Sequence, residues 1–249
     1  MTALVILPGL DGTATLHAQF IAALDASVAP VTVLRYPPDQ LLDHAALERL
    51  VREALPGNTP FVLLGESLSG PIALSIAADP PANLLGLVLS TTFARAPIPF
   101  LSRFAALARI APVRVVPLSL LSWMLLGRWR NRSLDAALTQ ALRTVTPAVL
   151  RYRAAAAMRV DVSRRMAGIT LPVLYLRARG DRLITAAAGE HISAVMTHAT
   201  LVELDGPHLL LQACPVAVAN AVNAFVAQLP LAALQPAPAV CSDLGQERT

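Results

Sequence analysis

Six short apolar runs, at residues 3–7, 31–34, 61–64, 84–89, 172–176 and 200–204, are separated by stretches with helical periodicity. Each run is too short for a buried helix and too continuous for a strand with one wet face. Such runs read as strands covered on both sides, and strands that alternate with helices form parallel sheets. The alternation therefore predicts an α/β fold: a doubly wound, mostly parallel sheet of about six strands. Helices are expected after Thr13 or Thr15, with Leu16, Phe20, Ile21 and Leu24 on one face. Others are expected over 40–55, with a stripe of Leu42, Ala46, Leu50 and Val51, from Pro71 onward, and over 186–195 and 215–228.

The alternation stops between residues 94 and 165. That stretch holds five prolines and several helical patterns but no strand, and it carries 13 arginines against two acids, Asp135 and Asp161. The chain has no lysine and a net charge of +4, so the remainder is acidic. The expected organisation is a core over 1–93 and 166–229, a helical arginine-rich cap over 94–165, and a Pro/Ala-rich flexible tail over 230–249. No run of 18 apolar residues suggests a membrane span, and no charged segment precedes the first strand as in a signal peptide; a cytoplasmic location is expected. Two cysteines, Cys214 and Cys241, are too few for a disulfide framework. No phosphate loop, dinucleotide fingerprint or metal-ligand spacing occurs, so neither a cofactor nor a metal is expected.

The chemistry is carried at strand ends, where ligands bind in folds of this class. The third run leads into Gly65-Glu66-Ser67-Leu68-Ser69-Gly70-Pro71 and then a helix. A serine on a sharp strand-to-helix turn needs small neighbours and reads as a nucleophile elbow, here G-x-S-x-S instead of G-x-S-x-G. An activated serine needs a base and a group that orients it. His208 alone among five histidines follows a strand end. His17, His44 and His191 fall in or beside helices and read as surface or helix-packing residues, while His198 precedes a strand. Asp181 lies just past the fifth run, and Asp205 reads as a turn residue. Ser67, Asp181 and His208 thus follow one another in the order serine, acid, histidine. Glu66, beside the nucleophile, is placed to tune the site but reads first as a structural residue satisfied by nearby backbone or arginine, not as a catalytic one.

With these positions the chain resembles the α/β-hydrolase superfamily, serine esterase type, over nearly its whole length. Residues 7–13, Leu-Pro-Gly-Leu-Asp-Gly-Thr, are similar to an esterase and acyltransferase subgroup that includes plant thioesterase-like proteins. The resemblance implies an oxyanion hole from the backbone N–H groups of Leu10 and Leu68. Many relatives have His-Gly in the first loop where this chain has Pro8-Gly9. It also implies a lid role for the 94–165 insertion, and a first strand near the sheet edge because no earlier strands fit. The expected activity is serine carboxylesterase action on small to medium acyl esters through an acyl-enzyme. Alternatives are a methyl esterase or thioesterase acting on acyl carrier protein, an acyltransferase, and a non-catalytic ligand receptor of the same fold. Partners left open at the basic cap are an acyl carrier protein and an anionic lipid surface; nucleic acid is not expected.

Overall fold

The computed structural model describes residues 1–96 and 117–229. Six strands form one parallel sheet: β1 (Thr2–Leu7), β2 (Val28–Val33), β3 (Phe61–Glu66), β4 (Leu84–Ser90), β5 (Val173–Ala178) and β6 (Thr200–Leu204). Their order is β2-β1-β3-β4-β5-β6, so the first strand lies one place in from the edge. Strand order reverses between β1 and β3, and the loops leaving those strands diverge to open a crevice there. Leu7 lies beside Gly65 and Glu66 beside Ser90, which brings the carboxyl ends of β1, β3 and β4 level.

Helices cover both faces: α1 (Ala18–Ala22), α2 (His44–Ala54), α3 (Gly70–Ala78), and, after the insertion described below, three more near the C-terminus. Alternate residues of each apolar run enter different cores. Ala3, Val5, Phe61 and Leu63 pack with Leu47, Val51, Ile72 and Ile76 from α2 and α3. Leu4, Ile6, Val62 and Leu64 pack with Phe20 from α1 and with Val218, Val222 and Phe225 near the C-terminus. This two-sided burial is why the runs are continuous rather than alternating.

Among the described residues, four α-helices lie between β4 and β5: α4 (Leu118–Leu126), α5 (Arg132–Arg143), α6 (Pro147–Ala157) and α7 (Ser163–Met166). Asn131 caps α5 through Leu134 N–H, and Thr146 caps α6 through Val149 N–H with Pro147 in the first turn. The chain leaves and re-enters the sheet through paired stems: Ala96 N–H donates to Val160 O and Val162 N–H to Ala94 O, both at 2.9 Å. That antiparallel bridge of Arg95 with Asp161 is an extended pairing in a stretch expected to have none. The core closes with α8 (Ala186–Val195), α9 (Leu210–Ala213) and α10 (Pro215–Ala227). Arg103, Arg109 and Arg114 of the cap, and the tail over 230–249 with Cys241, lie outside the described residues.

Some boundaries differ from expectation for local reasons. β2 begins at Val28, three residues early, because Val28 pairs with Thr2. α1 starts only after His17, since Thr13 is drawn instead to Asp11: its N–H and Oγ1 both donate to Asp11 Oδ2, at 3.0 and 2.5 Å. In α2 the buried residues are Leu47 and Val51, with Leu42 and Leu50 packed at the margin. Among the described residues, no helix is long and apolar enough to cross a membrane.

Candidate active site

The turn after β3 carries the backbone strain expected of an elbow. Ser67 has φ of 49°, a left-handed conformation that non-glycine residues adopt at a cost of order 1–3 kcal/mol and that persists only where surroundings enforce it. Two glycines make room. A Cβ on Gly65 would stand 2.7 Å from Ala73 Cβ and 3.0 Å from Ser69 O, and one on Gly70 would overlap Thr92. Thr92 Oγ1 in turn donates to Ser67 O at 2.5 Å. The glycine one place late in the motif is therefore needed for the close approach of Thr92, not for its φ of −58°. Ser69, standing where the common motif has glycine, is buried and used: its hydroxyl donates to Pro8 O and accepts from Tyr36 OH, the latter at 2.7 Å. The departure from the motif thus ties the elbow to the loop after β1.

Ser67, His208 and Asp181 come together. Ser67 Oγ lies 2.9 Å from His208 Nε2, and His208 Nδ1 lies 2.9 Å from Asp181 Oδ2. The other carboxylate oxygen, Oδ1, accepts from the N–H groups of Leu183 and Ile184 at 2.8 and 2.9 Å, which fixes the carboxylate plane. With Asp181 accepting from Nδ1–H, Nε2 is left as the acceptor facing the serine hydroxyl. Three other histidines lie elsewhere: His44 begins α2, His191 Nε2 meets Ser163 Oγ at 2.8 Å, and His198 Nε2 meets Leu171 O at 3.2 Å. Asp205 is exposed and paired with Arg128.

His17 and Glu66 correct the sequence reading. His17 is fully buried, and its Nε2 meets Glu66 Oε2 at 2.9 Å. Glu66 is 2% exposed, and its other oxygen accepts from Gln212 Nε2 at 2.9 Å, so among the described residues its partners are a histidine and a glutamine, not backbone or arginine. Burial by itself pushes the Glu66 carboxyl up. The hydrogen bond and charge of His17 outweigh burial and hold it below the ordinary carboxylate range. The same pairing outweighs burial at His17 and raises it. A carboxylate set between an apolar strand and a strained turn has to be paired; its partner, 49 residues upstream, has no local sequence signal.

Arg153, one of the cap arginines, is turned inward. It is 2% exposed and donates from Nη1 to Leu10 O and Asp11 O, at 3.0 and 2.9 Å, and from Nη2 to Pro37 O at 2.9 Å. Its guanidinium occupies the space a Cβ on Gly12 would need, 2.5 Å from Nη1, and Gly12 has φ of 68°. A cap residue thus holds the loop that carries Leu10.

A cavity of about 340 Å³ opens over Ser67 between sheet and cap. Leu10, Leu68, Ser67 and His208 line its floor. Its walls are Leu16, Phe93, Leu183, Ile184 and Leu209 from the core and Leu121, Leu125, Leu138, Leu142, Ala154, Ala157 and Met158 from α4, α5 and α6 or their ends. Asp11 and Glu66 are the acidic residues on its lining, and no described arginine reaches it.

Comparison with known proteins agrees with this architecture. The sequence model of the family described as serine aminopeptidase, S33, matches residues 38–206. No curated protein matches in sequence. Among solved structures, the esterase EaEST from Exiguobacterium antarcticum superposes with a TM-score of 0.78 at 13% identity, covering 91% of this chain and 92% of its own. A lipase-esterase related protein from Clostridium acetobutylicum ATCC 824 gives 0.74 at 16% identity, covering 90% and 94%. The enol-lactonase from Burkholderia xenovorans LB400 gives 0.72 at 18%, covering 91% and 92%. At such identities the likeness is one of fold. The chain belongs to the α/β-hydrolase superfamily, within the family described as serine aminopeptidase, S33, and it is a hydrolase.

Proposed function

We propose that this hydrolase is a serine carboxylesterase acting on uncharged acyl esters of medium chain length. The observation that carries the proposal is the hydrogen-bonded series Ser67–His208–Asp181 opening onto an aliphatic cavity. In this reading His208 takes the Ser67 proton as Oγ attacks the acyl carbonyl, and Asp181 holds the imidazole tautomer and stabilises its cation. The N–H groups of Leu10 and Leu68 receive the negative oxygen of the tetrahedral intermediate, each worth about 10²–10³-fold in rate. His208 then returns the proton to the departing alcohol, and a water activated by the same imidazole releases the acid from Ser67. Because no described arginine lines the cavity, an acyl chain ending in a carboxylate is disfavoured relative to an apolar one.

The test is hydrolysis of p-nitrophenyl esters from acetyl to dodecanoyl. Each CH₂ buried in the cavity adds about 0.8 kcal/mol, so kcat/KM is expected to rise about fourfold per carbon until the cavity is full. Ser67→Ala is expected to lower kcat by about 10⁴–10⁶-fold. Turnover that survives Ser67→Ala, or no turnover of any ester, would overturn the proposal. Product analysis with a competing alcohol separates hydrolysis from acyl transfer.

A further inference from the structure

We infer that Glu66, paired with His17 and Gln212, is a positioning device for the nucleophile and its base, and not simply a buried strut. The inference rests on the serine-hydrolase reading above. The three residues come from the three segments that the reaction needs in register. Glu66 directly precedes Ser67. His17 ends the loop that contains Leu10 and stands at the start of α1. Gln212 lies in α9, and the backbone of Leu210 there donates to His208 O at 2.9 Å. One carboxylate therefore links the elbow, the proposed oxyanion loop and the base loop, with one oxygen committed to each neighbour at 2.9 Å.

A strut would not need charge. Replacing a buried ion pair by apolar residues of similar volume is commonly neutral or stabilising, so fold stability gives little reason to keep one at a strained turn. Charge matters to the chemistry. During attack the imidazole of His208 becomes positive while the substrate oxygen becomes negative. Glu66 directly precedes Ser67 and lines the same cavity as His208, so by Coulomb's law its carboxylate favours a positive imidazole there. A bare carboxylate beside Ser67 would also oppose the nascent oxyanion; the hydrogen bond from His17 Nε2, at 2.9 Å, draws charge away from it. The charged and titratable groups facing this pair are Asp11 from the β1 loop, held by Thr13, and His208 with its partner Asp181.

The experiment measures the rate at which a fluorophosphonate labels Ser67 between pH 5 and 9, a readout independent of the natural acyl substrate. Labelling of the native chain that disappears in Ser67→Ala establishes the premise; a native chain that resists the probe overturns the serine-hydrolase reading itself. Given labelling, Glu66→Gln keeps the shape and removes the charge: its oxygen still accepts from the Gln212 amide, and its NH₂ donates to His17 Nε2 once that ring takes the neutral Nδ1–H tautomer. It is expected to slow labelling about 10- to 100-fold, the scale of a lost charge-assisted hydrogen bond, and to move the acid limb of the rate profile to lower pH. Gln212→Met removes one hydrogen bond and no charge, and is expected to slow labelling without moving that limb. Glu66→Gln labelled at the native rate with an unmoved limb would overturn the inference whatever its melting temperature. Should Glu66→Gln fail to fold, His17→Gln makes the same comparison from the other side of the pair, with an unmoved limb again the refuting result.

Discussion

Replacing Arg153 by methionine isolates what one cap arginine does for the core. The side chain is 2% exposed and donates to three backbone carbonyls, those of Leu10, Asp11 and Pro37. Methionine keeps much of the apolar stem and removes every donor. Each buried carbonyl left without a partner costs about 1–3 kcal/mol, or about 3–9 for the three. Against that, a guanidinium no longer has to be buried; burial lowers the Arg153 pKa, and the relief is worth several kcal/mol. The net expectation is a loss of about 2–4 kcal/mol, which for a chain of this size is a fall in Tm of about 5–15 °C. The loop it releases carries the proposed oxyanion donor Leu10, whose displacement costs up to about 10²–10³-fold in kcat. Arg153 does not line the cavity, so KM for p-nitrophenyl esters should change little. Differential scanning fluorimetry and steady-state kinetics on Arg153→Met read both quantities. Arg153→Lys should sit between, because one ammonium cannot span the fork. A methionine variant with Tm within about 2 °C of the native chain and unchanged kcat would refute the reasoning.

Three further outcomes follow from other residues. His17 is raised in the folded state, so its contribution to stability is complete below its unfolded value near 6.5 and is lost as pH rises through the higher folded value. Glu66 is lowered, so its share is lost only as pH falls below the ordinary carboxylate range. Urea unfolding should therefore show a decline that sets in as pH rises above about 6.5 and flattens in His17→Gln. Gly65→Ala should cost about 1–3 kcal/mol by thermal unfolding and most of the activity, because its Cβ would press on Ala73 and on the Ser69 carbonyl at the strained turn. Met158→Trp should shorten the cavity, lowering kcat/KM for decanoyl and dodecanoyl esters while sparing acetyl, as measured across the p-nitrophenyl series.

Much of the architecture was legible because parallel strands buried on both faces leave continuous apolar runs, and each such run in this chain became a strand. Residues 61–64 and 172–176 needed no tertiary information. Ends were less legible: β2 begins at Val28 through its pairing with Thr2, and α1 is short because Asp11 captures Thr13. Both are outcomes of competition between local and cross-chain hydrogen bonds, which periodicity does not register.

The site divides along the same line. Ser67, Asp181 and His208 could be selected from sequence because each lies just past an apolar run, and strand ends in a parallel sheet share one side of the molecule. Their mutual distances depend on the strand order and register. The residues that hold them could not be selected in that way. His17 looked like a surface or helix-packing histidine, Arg153 like one of 13 arginines in a basic cap, and Ser69 like a small residue in the turn. Each acquires its role from partners far along the chain: 49 residues for His17, 116, 142 and 143 for Arg153, and 33 and 61 for Ser69. Sequence by itself determined the layered sheet and the strand ends at which Ser67, Asp181 and His208 sit, because burial and turn strain act on neighbouring residues. Only the tertiary structure decided how the buried charges are satisfied, because a desolvated carboxylate or guanidinium takes whichever partner the fold delivers, at any distance along the chain.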